Sequence, residues 1–283
     1  MSNNYVLACI DGASLTTAVC DYAAWISLRS GAPLKLLHNI EHRPQAAVAD
    51  LSGSIGLGSQ QELLEELIQV ERQRNRLLMQ KGKLMLNAAS QRLAQAGVAE
   101  LEALQQHGSL QESLVEREED IRVLVMGVRG EEHREGKLGA HLETVIRALH
   151  KPVLVVNTEF SEPKKIMLAY DGHDASRKAL QMVASSPVFK GIPCHLVYVG
   201  DELTATAVLN EAATVLQAAE ISYEFVNLPK GKSDEQLCQY QAENDIGLTV
   251  MGAYSHHPLR DMLLGSFTAK MLHKTKRPLL LLR

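Results

Sequence analysis

Short apolar runs alternate with amphipathic stretches along the chain, and glycine or proline marks the ends of many of them. Residues 5–10, Y-V-L-A-C-I, are followed by Asp11-Gly12, the pattern of a buried parallel strand and the turn at its carboxyl end. Ser14 or Thr16 can cap the next helix, whose apolar positions include Val19, Tyr22, Ala23 and Ile26. Residues 34–40 read as a second strand, and 41–59 as a loop carrying Gly53, Gly56 and Gly58. A long helical pattern over 60–96 follows, with Gly82 as a break within it and Gly97 as its C-cap. Residues 101–105 form a third strand, and 107–111 lead into a helix. Residues 123–126 form a fourth strand closed by Gly127, 140–150 a helix, and 152–156 a fifth strand with proline at its first position.

The order then restarts. A strand at 165–170 ends at Asp171-Gly172, and helices near 175–184, 204–219 and 233–244 separate strands at 194–199, 223–226 and one ending at Met251. A helix after Gly265 and a strand at 278–282 complete the series. Asp171 lies 160 positions after Asp11, Gly252 125 after Gly127, and Pro278 126 after Pro152. The drop from 160 to 125 gives the first half 35 additional residues, placed between its second and third strands. Alternating strands and helices predict an α/β fold: two tandem, open, parallel five-stranded sheets with helices on both faces. The expected domains are residues 1–157, with an insertion near 41–80, and residues 164–283, joined by a hinge at 158–164. Ligands of such sheets bind beyond the carboxyl ends of the strands. Asp11, Gly127, Asp171 and Gly252 fall there.

The length of 283 residues suits two modest domains, and 46% hydrophobic with 22% charged residues is ordinary for a soluble globular chain. Only 4% of residues are aromatic and the formal net charge is -4, which argues against nucleic-acid and anionic-membrane partners. No apolar run reaches the roughly 18 residues of a membrane span, and no signal peptide is expected. Cys9, Cys20, Cys194 and Cys238 are scattered, so free thiols and a cytoplasmic setting are expected. No nucleophile–base pair, carboxylate pair or metal triad stands out, so no catalytic residue and no protein-held metal are expected.

The paired Asp-Gly strand ends, the Met-Gly turn after each fourth strand and the Pro-led last strands resemble the universal stress protein family, with both halves covered almost end to end. The nucleotide-binding branch of that family carries a loop of the form G-x2-G-x9-G-(S/T). Gly252, Ser255 and Gly265-Ser266 match its spacing, with serine in place of the second glycine. The resemblance implies that Asp171 accepts a hydrogen bond from the adenine amino group and that Val199 offers backbone groups to the adenine edge. It further implies that Gly252 and Ser255 line the ribose and phosphate approach. Gly265, Ser266 and the Phe267 N–H would cradle phosphates at a helix start, where free N–H groups and the dipole favour an anion. If position 255 needs a positive φ, serine costs about 1 kcal/mol there. If it does not, the hydroxyl is an added donor.

The first half keeps Asp11, Gly127 and Gly130, but only eight residues then precede Gly139-Ala140 and no hydroxyl follows. It reads as a weaker second site. Each candidate has a bland reading beside the sharp one: a turn-forming Asp-Gly pair, or glycines required by turns and helix packing. His256, His257 and Arg260 lie in the same loop, the histidines most simply solvated and the arginine open equally to solvation or to a phosphate contact. Gly231-Lys232-Ser233 imitates the end of a P-loop, but Val226 stands where its first glycine belongs.

Two functions follow. One is a stress-response regulator that binds ATP or another adenine nucleotide, with any Mg2+ carried by the nucleotide and any hydrolysis slow and incidental. The other is a scaffold that binds no nucleotide and acts through protein surfaces. An enzyme of the wider adenine-nucleotide hydrolase-like group lacks its S-G-G-x-D-S and H-x-G-H signatures here. Family members commonly pair through the last strand of each domain, which implies an internal pseudo-dimer in a tandem chain, with a homodimer of whole chains conceivable. In the long helix, Glu65, Glu66 and Glu71 with Arg72, Arg74 and Arg76 read as a solvated face. Its apolar pairs Leu63-Leu64, Leu67-Ile68, Leu77-Leu78 and Leu84-Met85 predict cover for the domain or for a partner subunit.

Overall fold

A computed structural model describes residues 4–40, 57–129, 140–253 and 265–283. In the first half, strands β1 (Tyr5–Cys9), β2 (Leu34–Ile40), β3 (Leu101–His107), β4 (Ile121–Gly127) and β5 (Val153–Val156) alternate with helices α1 (Thr16–Ser30), α2 (Leu57–Gln95), α3 (Leu110–Val115) and α4 (Ala140–Ala148). In the second, β6 (Ile166–Ala169), β7 (Cys194–Val199), β8 (Tyr223–Leu228), β9 (Leu248–Gly252) and β10 (Leu279–Leu282) alternate with α5 (Asp174–Ser185), α6 (Glu202–Ala218), α7 (Ser233–Glu243) and α8 (Ser266–Lys274).

The two halves share one ten-stranded sheet in the order β3-β2-β1-β4-β5-β10-β9-β6-β7-β8. Neighbours within each half pair in parallel, as short apolar runs buried on both faces require. The halves meet through β5 and β10, which pair antiparallel with Leu154 opposite Leu280, Val153 opposite Leu281 and Val155 opposite Leu279. Each of these positions is 126 residues from its counterpart in the other half, so an approximate two-fold axis passes between Leu154 and Leu280. The two five-stranded sheets are joined edge to edge through the last strand of each half, the internal pairing that the family resemblance implied, because two apolar last strands satisfy each other's edges.

Side chains alternate across this sheet. Val6 and Ala8 face a layer of α1, α2, α5 and α6, while Leu7 faces a layer of α3, α4, α7 and α8. The pseudo-symmetry extends past the strands. Asn157 donates its amide to the carbonyls of Thr275 and Arg277, each at 2.9 Å, at the end of α8. Its counterpart Arg283 donates its guanidinium to the Arg147 carbonyl near the end of α4. Helix ends leave carbonyls without intrahelical partners. Each half thus closes the last helix of the other.

Two expectations change. Gly82 does not break α2, which runs unbroken over 39 residues. A side chain at Gly82 would collide with the Gln105 amide and the His38 ring, so this glycine lets the helix cross close over β2 and β3. The segment expected to be a hinge is held down. Phe160 packs edge-on against Tyr22 with ring centroids 4.8 Å apart, and Glu162 lies 3.9 Å from Arg29, both partners being on α1.

Candidate functional site

The carboxyl ends of β6 and β9 and the starts of α5 and α8 converge in the second half. Gly172 takes a φ of +79° and turns the chain after β6. Asp171 Oδ1 then accepts hydrogen bonds from the His173 N–H at 3.0 Å and the Ser176 hydroxyl at 2.7 Å. Its Oδ2 lies 3.2 Å from His173 Nδ1. Burial, the largest single influence, raises the Asp171 pKa. The hydrogen bonds from Ser176 and His173, with the His173 charge, outweigh it and hold the carboxyl below its usual range. The side chain is nevertheless 61% exposed, so an ionised carboxylate faces outward at the edge of the sheet.

The first half repeats this turn. Gly12 has a φ of +82°, and Asp11 Oδ1 accepts from the Ala13 N–H at 2.9 Å and from the Thr16 hydroxyl at 3.4 Å. Thr16 and Ser176 are 160 positions apart, as are the aspartates. The bland reading of both Asp-Gly pairs, a turn that starts a helix, is therefore a real part of their work.

Gly252 is the last residue of β9, paired with Leu282. A Cβ there would lie 2.7 Å from Ala175 Cβ and 3.0 Å from the Ala175 carbonyl carbon. This glycine is fixed by packing: it lets the first turn of α5 lie directly on the end of the strand. At Gly127 the nearest described atoms to the added carbon would be the Arg129 carbonyl oxygen at 3.3 Å and Leu15 Cβ at 3.5 Å. Leu15 takes the place of Ala175 in the first half and lies over Gly127.

Gly265 precedes the first turn of α8 with φ -54° and ψ 138° and, as a glycine, has no side chain with which to cap it. Those angles are open to any residue, so the backbone itself does not demand glycine here. Ser266 is exposed and Phe267 half-buried at the helix start. Thr268 is buried and donates its hydroxyl to the Ala253 carbonyl at 2.5 Å, while the Ala253 N–H donates to Leu282 at 2.7 Å. This pair of bonds fastens the start of α8 to the end of β9. In the first half Leu142 stands at the position of Thr268 and is packed in the core instead.

Val199 ends β7 opposite Leu228 and packs, like Phe267, against the core on the α7–α8 side. Its counterpart Asn39 donates to the Gly108 carbonyl at 2.6 Å, and its buried Oδ1 has no partner among the described residues. Ser255, His256, His257 and Arg260, like Gly130 and Gly139, lie outside the described residues. Among the described residues no group of three or more His, Cys, Asp or Glu is placed to hold a metal.

Ser176, Thr268 and the Leu15/Ala175 difference were not singled out from sequence. The hydroxyl five residues after each Asp, and the T in G-S-F-T, are the signals that pointed to them.

This strand order, doubled and closed on its own last strands, has a counterpart among known proteins. The family model described as "Universal stress protein family" matches residues 3–157 and again 162–283. The chain belongs to the universal stress protein family. Universal stress protein Slr1230 of Synechocystis sp. is 38% identical over 98% of this chain and 99% of its own. Among solved structures, a universal stress protein of Archaeoglobus fulgidus DSM 4304 matches 100% of the chain and 99% of its own length, at 18% identity and a TM-score of 0.75. A shorter universal stress protein, solved in complex with cAMP, matches 44% of this chain and 98% of its own at 20% identity and a TM-score of 0.38. The described helices include none long and apolar enough to cross a membrane, and all four cysteines are free thiols.

Proposed function

We propose that this universal stress protein binds ATP or another adenine nucleotide at the carboxyl edge of its second half. The observation that carries the reading is the start of α8 at Gly265-Ser266, where the N-cap residue is a glycine, fastened by Thr268 beside the end of β9. A helix start of this kind offers N–H groups to phosphate, and Ser266 adds an exposed hydroxyl. A glycine with no conformational need at position 265 leaves room for a ligand to approach the backbone. Asp171, ionised and exposed, is an acceptor for the exocyclic amino group of adenine, with Val199 at the neighbouring strand end. Ser255 belongs to the same loop as a ribose or phosphate contact, and Mg2+ enters with the nucleotide. Occupancy then biases the conformation of this edge and the choice of partner, in a cytoplasmic stress response.

The test is direct. The purified protein is denatured and the released small molecules are examined for adenine nucleotide, and ATP is added to a second sample in a thermal melt. Released nucleotide, or a raised Tm with ATP, supports the reading. No nucleotide and no shift removes it. The alternative, a scaffold acting through surfaces alone, draws on a separate observation, the exposed apolar residues of α2.

A further inference from the structure

The inner side of α2 is accounted for by the fold: Met85, Leu86, Ala89 and Leu93 pack on the sheet of the first half. Its outer side is not. Val70, Leu77 and Leu84 recur at seven-residue intervals and are 63%, 59% and 71% exposed. In sequence Leu63 continues the row by one interval, for a length of about 32 Å at 1.5 Å per residue. Apolar residues repeated every seven positions keep to one narrow stripe of a helix, the seam by which helices pair.

Charge along the same helix is segregated. Glu62, Glu65, Glu66 and Glu71 precede Arg72, Arg74, Arg76, Lys81 and Lys83, with no base among the first group and no acid among the second. The helix macrodipole acts only within the first and last turns, so it does not account for a change of sign near the middle of α2. The apolar row shares that middle. Val70 and Leu77 are equidistant from the point between Gln73 and Arg74, and Leu63 and Leu84 are equidistant from it as well. Turning the helix end over end about this point superimposes the row on itself and lays the acidic stretch along the basic one. A parallel arrangement would instead set acid on acid and base on base.

We propose that α2 is a self-docking surface: two copies of the chain associate by antiparallel pairing of their α2 helices about Gln73–Arg74. In that register Val70 packs on Leu77 of the partner subunit. The pairing leaves the β5–β10 junction internal to each chain and does not rest on nucleotide binding.

The test is sedimentation over a concentration series of the full chain, beside the V70E/L77E variant. Both substituted side chains are exposed, so circular dichroism and Tm should match the parent at concentrations where both are monomeric. The parent should pass from monomer to dimer with concentration, and the variant should need at least about tenfold more protein to do so, a change of about 1.4 kcal/mol. Orientation is read by mixing differently tagged Glu66→Cys and Gln80→Cys chains under mild oxidation. Antiparallel pairing yields the mixed disulfide, and parallel pairing the two like ones. A parent that remains monomeric, a variant that dimerises as the parent does, or like-only cross-links would overturn the proposal.

Discussion

Thr268 and Ala253 are joined by a buried hydrogen bond that ties the first turn of α8 to the residue following β9. Between them in sequence lies most of the loop that would contact nucleotide, so one hydroxyl sets the position of the helix start. Thr268→Val keeps the shape but leaves the Ala253 carbonyl unpaired, at a cost of about 1–3 kcal/mol. Urea unfolding should show that loss. A Tm rise with ATP that is smaller than the parent's, at equal ligand concentration, should accompany it.

Gly252 makes a separable prediction. Gly252→Ala places a carbon 2.7 Å from Ala175 Cβ and forces α5 off the strand, which should destabilise the fold by roughly 1–3 kcal/mol. Gly127→Ala meets its nearest atom at 3.3 Å and should cost distinctly less. Adding Ala175→Gly to Gly252→Ala should return part of the stability, as measured by denaturant midpoint. A Gly252 kept only for ligand access would show neither the asymmetry nor the rescue.

These glycines mark where sequence reading stops. The succession of strands and helices, the duplication and the position of Asp11, Gly127, Asp171 and Gly252 at strand ends follow from local pattern, since apolar runs and Asp-Gly turns report on their own neighbourhoods. Gly252 against Ala175, Gly82 against His38 and Gln105, and Leu15 over Gly127 are contacts between elements distant in sequence. A glycine required by packing is written like one required by a turn or by a ligand. The exchange of Asn157 and Arg283 across the pseudo-two-fold is hidden for a further reason, because the two residues share a place but not a side-chain type.

His195 on β7 gives a pH dependence. It is buried, with Nδ1 2.6 Å from the Tyr240 hydroxyl and Nε2 3.9 Å from Glu224, and burial depresses its pKa against the opposing pull of Glu224. The unfolded chain therefore binds this proton more tightly than the native one. Its contribution to stability is full above the ordinary histidine value near 6.5 and falls away as pH drops below it. Urea midpoints measured from about pH 7.5 to 5 should decline, and His195→Gln should flatten that limb.

Asp171 acts in a lower window. Its depressed pKa means that the native state holds the carboxylate more firmly ionised than the unfolded chain does. The stabilisation is present above the ordinary aspartate value near 3.9 and is lost as pH falls through the lower native value. Asp171→Asn keeps an acceptor for Ser176 and the turn while removing the charge. Stability of the variant should lie below the parent's near neutrality and the two should converge on acidification, as followed by thermal melts between about pH 7 and 3.

The two halves should differ as binding sites. The first half has Leu15 over Gly127 where the second has Ala175, and Leu142 where the second has Thr268. Its loop also lacks a hydroxyl after the last glycine. Asp11 and Asp171 nonetheless sit in like turns, which makes them a controlled pair. Asp171→Ala and Gly265→Val should each weaken ATP binding by roughly tenfold or more, about 1.4 kcal/mol, whereas Asp11→Ala should change it little. Isothermal titration reads both the affinity and the stoichiometry, expected at one nucleotide per chain. Equal losses from the two aspartate variants, or two equivalent sites, would contradict the assignment of binding to the second half.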